Sequence, residues 1–120
     1  MRVLLTGAAG AIGRTLLTGL ADRGHDVVGV DVLPEPAGYD GPWHTLDCTD
    51  PDAVADLFAE ESVDAVAHLA GLNSEGGLVE ELHSHTISTA AVLDAMVEQG
   101  VRRIVYASSN HAVGRVPATG

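Results

Sequence analysis

The chain has no lysine, a single cysteine and few aromatic rings: one tryptophan, two tyrosines and one phenylalanine in 120 residues. Its six basic residues are all arginines, set against 17 acids, for a formal net charge of -11. Such an acid excess excludes the electrostatic footprint that nucleic acid or an anionic membrane surface requires. A lone Cys48 excludes a disulfide framework and fits a reducing, cytoplasmic setting. No apolar run reaches the roughly 18 residues of a membrane span. The first residues already read as a strand, so no signal peptide is expected either. With few rings, the core must come from branched aliphatics and alanine. The 46% hydrophobic content is enough for one domain of this length.

What is present is concentrated near the front. Residues 3–6 are a short, mostly branched apolar run, followed by Gly7, Gly10 and Gly13 and then Ile12, Leu16, Leu17 and Leu20 at the spacing of one helix face. A strand, a glycine turn and a helix in that order make a cradle for a dinucleotide diphosphate, because the helix N-terminus offers unpaired N–H groups and a partial positive charge. Gly7 is expected to turn the chain, Gly10 to let phosphates approach the backbone, and Gly13 to let the helix pack on the strand. The spacing is G-x-x-G-x-x-G rather than the commoner G-x-G-x-x-G, and a glycine triplet alone also describes a tight turn that binds nothing. The second apolar run, residues 26–31, answers that alternative. It ends in Asp31, where a carboxylate would accept hydrogen bonds from the adenosine ribose. An acid there repels a 2′-phosphate, which favours NAD over NADP.

The remaining chain alternates. Residues 33–42 are dense in proline and glycine and read as a loop. Residues 43–46 form a short strand. Asp50 and Pro51 are an N-cap and first helical position, and Val54, Leu57 and Phe58 give that helix its buried stripe. Residues 63–69 are the next strand. A long helix follows, from about residue 75 or 78 to Gln99, with Leu82, Thr86, Ala90, Leu93 and Val97 on one face and Gly100 as its stop. Residues 103–107 are the last strand, with Tyr106 read as a core residue. This pattern predicts an α/β fold over residues 1–120: a Rossmann-type, doubly wound parallel sheet of about five strands, ordered 3-2-1-4-5. The glycine loop, Asp31, Asp47 and Cys48, Ala70 and Gly71, and residues 108–111 then share the carboxyl edge where such sheets bind ligands. No histidine or cysteine has partners at metal-ligand spacing, so no metal is expected.

These residues resemble the extended short-chain dehydrogenase/reductase family, also called the NAD-dependent epimerase/dehydratase family. Residues 6–13 match its T-G-x-x-G-x-x-G loop, Asp47 and Cys48 its adenine-holding position, and His68 to Gly71 its H-x-A-A/G strand end on the nicotinamide side. Residues 106–109 match the strand carrying the active-site serine, and the register of Gly114 makes Ser109 its equivalent. The resemblance implies NAD held by Gly7, Ala9, Gly10, Ala11, Ile12, Gly13, Asp31, Asp47, Cys48, Leu69, Ala70, Gly71 and His85. His85 stands where the family usually has an asparagine, and Ser88 where it has a glycine. The S-S-N-H form of residues 108–111 is similar to the uronate dehydrogenases within the family. That implies a sugar-acid substrate contacted by Ser109, Asn110, His111, Asn73 and Ser74, oxidised at C1 to a lactone. A nucleotide-sugar epimerase or dehydratase, or a non-catalytic NAD-binding module, are the other readings. The family's Tyr-x-x-x-Lys pair is absent, so the chain is expected to be the N-terminal portion of a longer fold, cut before the catalytic helix and substrate-binding half. By itself it is expected to be inactive, and the full-length form to be a homo-oligomer.

Overall fold

A computed structural model describes residues 1–71 and 77–107. Within them, β1 (Arg2–Thr6), β2 (Asp26–Asp31), β3 (Trp43–Thr45), β4 (Ala65–His68) and β5 (Arg103–Tyr106) form one parallel sheet ordered β3-β2-β1-β4-β5. That is the predicted order; β1 begins one residue earlier than expected, β2 matches, and β3, β4 and β5 are shorter by one or two residues at their ends. Helix α1 (Ala11–Asp22) covers one face, while α2 (Pro51–Glu61) and α4 (Ser88–Gln99) pack together on the other. Fully buried Leu4, Val28 and Val66 from three adjacent strands meet Val54, Leu57 and Phe58 of α2 and Ala91, Val92, Ala95 and Met96 of α4. The opposite cluster is smaller: Leu5, Ala8, Leu17 and Val27, with Trp43 and Tyr39 at its margin.

Local signals explain the boundaries. The Asp50 carboxylate accepts from the Ala53 amide at 3.2 Å and Pro51 opens α2, as expected. Gly100, at φ 71°, ends α4. At the amino edge of the sheet Arg2 ties three elements: its guanidinium pairs with Asp26 and Glu61, and its backbone N–H donates to Asp64 at 2.8 Å.

Three expectations are corrected. Ile12 is 68% exposed rather than on the buried face of α1. The contact line runs through Gly13 and Leu17, because a hydrogen in place of a side chain lets the helix close onto the glycine loop. The long helix is not uniform: α3 (Leu78–Leu82) passes through a π-helical turn, His83–Ile87, before α4 begins. Its buried stripe is Ser88, Ala91, Val92, Ala95 and Met96, while Leu82, Leu93 and Val97 face outward. Small residues win the buried side because α2 and α4 pack closely, and a wider turn upstream re-phases everything after it. Tyr106 is 49% exposed on β5, an edge strand among the described residues, and is not core. Among those residues no helix is long and apolar enough to cross a membrane.

Candidate functional site

The carboxyl ends of β1, β2, β3 and β4 bring most of the predicted residues to one rim. Gly7 adopts φ 69°, a left-handed conformation that L side chains rarely take, and a β-carbon there would lie 2.8 Å from the Leu69 carbonyl carbon. The loop then folds on itself and onto β2: the Ala8 amide donates to Val30 O at 3.1 Å and the Gly10 amide to Gly7 O at 3.2 Å. Gly10 is the N-cap of α1 and contributes no side-chain cap, and the first turn carries no acid. The amides of Ala11, Ile12 and Gly13 therefore open an uncapped, positive helix end toward the rim. A β-carbon on Gly13 would sit 2.2 Å from Gly7 O. Its glycine thus serves helix-to-loop packing, not the helix-to-strand packing expected.

Asp31 faces this loop. One carboxylate oxygen accepts from the Ala9 amide at 2.9 Å and the other from the Leu33 amide at 3.0 Å. Each oxygen keeps a further lone pair for a hydroxyl donor. Beside it lies a shallow hollow of about 230 Å³ between Ala9, Arg14, Leu33, Pro34 and Pro36. Asp47 accepts from both the Thr49 amide (2.9 Å) and the Thr49 hydroxyl (2.7 Å). Those bonds hold its carboxyl below the usual range, with a smaller contribution from His83. The Cys48 side chain is buried in the α2–α4 core, and burial, followed by the charges of Asp47 and Asp31, pushes its thiol up to about 12. Only its backbone is left to meet a ligand at the rim.

At β4 the sequence motif conceals a network. The Thr6 hydroxyl accepts from the amides of Leu69 (3.0 Å) and Ala70 (3.1 Å) and lies 2.7 Å from His68 Nδ1. Both of its lone pairs are taken, so its one proton must go to His68 Nδ1. The neutral imidazole then carries its proton on Nε2, 3.2 Å from the Thr89 hydroxyl of α4. Burial, then the neighbouring His85, lowers the His68 pKa to about 4. Thr6 is visible in the sequence as a motif letter, and Thr89 carries no signal; their roles exist only once β1, β4 and α4 are assembled. The exposed His85 lies against Gly71, where a β-carbon would fall 2.3 Å from its Cε1.

Asn73, Ser74, Ser109, Asn110 and His111 lie outside the described residues. His44, expected to be isolated, has ligand-type atoms within 4.8 Å of those of Glu60 and Glu61, brought there by the end of α2. Glu61 is already engaged by Arg2 and His44, at 2.8 and 3.5 Å, so the group is accounted for as an ion-pair cluster.

The sequence profile of the NAD-dependent epimerase/dehydratase family matches residues 3–119. The chain belongs to that family. It is 38% identical to a uronate dehydrogenase of Pseudomonas putida over 94% of its own length and 42% of the relative's. It is 34% identical to a UDP-glucose 4-epimerase of Bacillus subtilis, over 99% of its length and 39% of that protein's. The structure of a UDP-glucose 4-epimerase from Thermus thermophilus in complex with NAD superposes with a TM-score of 0.89 at 30% identity, over 100% of this chain and 42% of that one. The chain thus spans about two fifths of the length of these family members.

Proposed function

We propose that this family chain binds NAD along the rim and supplies the cofactor half of a sugar oxidoreductase. One observation carries the reading: the Asp31 carboxylate is pinned against the Ala9 amide of a glycine loop that leads into an uncapped helix N-terminus. Those parts fit the group chemically. Open amides and a helix dipole suit a diphosphate, and a carboxylate with lone pairs to spare suits ribose hydroxyls while disfavouring a 2′-phosphate. Gly7, Ala9, Gly10, Ala11, Ile12 and Gly13 would line the diphosphate. Asp47 and the Cys48 backbone would lie toward adenine, and Leu69, Ala70, Gly71 and His85 toward nicotinamide. When bound, NAD supplies a hydride acceptor. This chain's residues orient it, keep its diphosphate neutralised by backbone dipoles, and hold the nicotinamide-side peptide in place through Thr6.

For the substrate, the S-S-N-H run at residues 108–111 supports oxidation of a hexuronate at C1 to the lactone. Ser109 would bond the reacting oxygen, with Asn110, His111, Asn73 and Ser74 binding the sugar acid. Interconversion of nucleotide sugars is the second reading, favoured by the similarity to an epimerase along almost the entire chain. The lysine of a Tyr-x-x-x-Lys pair is not in this sequence, so the chain by itself would bind the cofactor without turnover.

Gly10→Ala separates binding from folding. A β-carbon there meets only Gly7 O, at 3.4 Å, so melting should change little while NADH affinity falls at least about tenfold. No saturable NADH binding by the unaltered chain would end the cofactor reading. The whole protein containing this chain, given NAD with galacturonate or glucuronate, should generate NADH. Turnover of UDP-glucose instead would transfer the assignment to the second reading.

A further inference from the structure

The loop between β2 and β3 forms one wall of the hollow beside Asp31, through Leu33, Pro34 and Pro36. Behind it a larger cavity, of about 480 Å³, opens between Pro36, Gly38 and Asp40 and the Leu17, Thr18 and Ala21 side of α1. The helix therefore does not back this wall, and polar tethers hold it instead. At its start the Leu33 amide donates to Asp31 Oδ1 at 3.0 Å. Further on, the Tyr39 amide donates to Pro36 O at 3.2 Å. The Tyr39 hydroxyl lies 2.7 Å from Val27 O of β2 and 2.8 Å from Pro42 O, so one phenolic proton is shared between two carbonyls. Burial raises the pKa of this phenol, which keeps that proton in place. Its ring also meets Trp43 edge-on, with centroids 5.8 Å apart.

We propose that Tyr39 is a positioning residue of the cofactor site: its hydroxyl anchors the loop wall that holds the Asp31 carboxylate toward the adenosine ribose. The inference rests on the NAD reading above and deepens it. The linkage runs from the hydroxyl on β2, through the Tyr39 amide, to Pro36 of the wall. From there it reaches the Leu33 amide, which fixes one oxygen of Asp31. Without the hydroxyl, Pro36 follows the loosened Tyr39 backbone toward the open cavity, the Leu33 amide shifts, and the carboxylate is free to turn. A ribose must then order both wall and carboxylate as it binds, which lowers affinity. Gly41 offers an independent handle on the same contact. Its β-carbon would lie 2.6 Å from the Tyr39 hydroxyl oxygen, and its backbone is not left-handed, so an alanine there unseats the hydroxyl end of the ring.

The test compares NADH with its analogue lacking both hydroxyls of the adenosine ribose, titrated into the unaltered chain, Tyr39→Phe and Gly41→Ala. Melting curves establish that each variant is folded at the titration temperature; should one fail to fold, the other carries the comparison. Both variants should bind NADH about three- to tenfold more weakly, the loss expected when a few loop residues must be ordered on binding. Both should bind the analogue as the unaltered chain does, because that ligand has no hydroxyl to offer Asp31. An equal loss for the two ligands would give Tyr39 a purely structural role and overturn the proposal. Undiminished NADH affinity in the variants would overturn it too, and either result leaves the cofactor reading intact. No saturable NADH binding by the unaltered chain removes the cofactor reading and this inference with it.

Discussion

Among the described residues of the rim, Thr6 ties together the most groups, because one hydroxyl bonds two amides and an imidazole. Thr6→Val keeps the shape and removes all three bonds; the Leu69 amide retains Thr6 O at 3.2 Å, while the Ala70 amide and His68 Nδ1 lose the hydroxyl. It should destabilise the chain by roughly 2–4 kcal/mol, with Thr6→Ser restoring most of the loss in thermal melts. His68 adds a pH dependence. Its pKa near 4 in the fold lies below the ordinary imidazole value of about 6.5. The unfolded chain therefore binds the extra proton first, and stability rises with pH across that window. The contribution should be complete above about pH 6.5 and disappear as pH falls toward 4, by at most about 3 kcal/mol. Urea titrations of the chain and of His68→Gln at pH 7 and pH 4.5 would measure the difference, which the variant should largely lack. The place of Asp31 at the end of β2 is legible from spacing alone, because the apolar run that forms the strand stops at it. The Thr6–His68–Thr89 chain is not, because 62 residues separate its first two members and no local pattern links Thr89 to either.

At the scale of elements, periodicity locates the strands and helices of the described residues, with α3 and α4 read as one helix, but misassigns two faces. Apolar spacing assumes a constant turn, and neither α1 nor the segment from Leu78 to Gln99 meets that assumption where it matters. In α1 the closest approach is made by Gly13, a residue with no hydropathy to register. In the longer segment the π-helical turn resets the phase, and alanines displace the larger residues from the contact. The glycines at the two ends of α1 should separate in experiment. Gly13→Ala drives a β-carbon into backbone at 2.2 Å and should cost about 3 kcal/mol or prevent folding. Gly24→Ala, where a β-carbon meets nothing but φ is 86°, should cost only about 1 kcal/mol. Equal losses in denaturant titrations would mean that the glycine loop is not packed as described.

For the whole molecule, the charge of -11 leaves few cations to offset it. Self-repulsion should make the fold more stable as salt rises from about 20 mM to 0.5 M, which a melting series would reveal. The same screening should promote association, because Leu93, Val97, Val105 and Tyr106 are all substantially exposed. Sedimentation at several concentrations should detect it, and Val97→Glu with Val105→Lys should abolish it; a monomer at every concentration and salt would contradict this.

The single indole of this chain stands in a useful place. Trp43 lies across Gly29, within a small cluster that also contains Ala8 of the glycine loop, and its N–H finds no acceptor among the described residues. Its emission is therefore an intrinsic optical gauge of that corner, free of background from any second fluorophore of its kind. Energy passed from it to a bound dihydronicotinamide would report occupancy in real time, without a label and without waiting for chemistry.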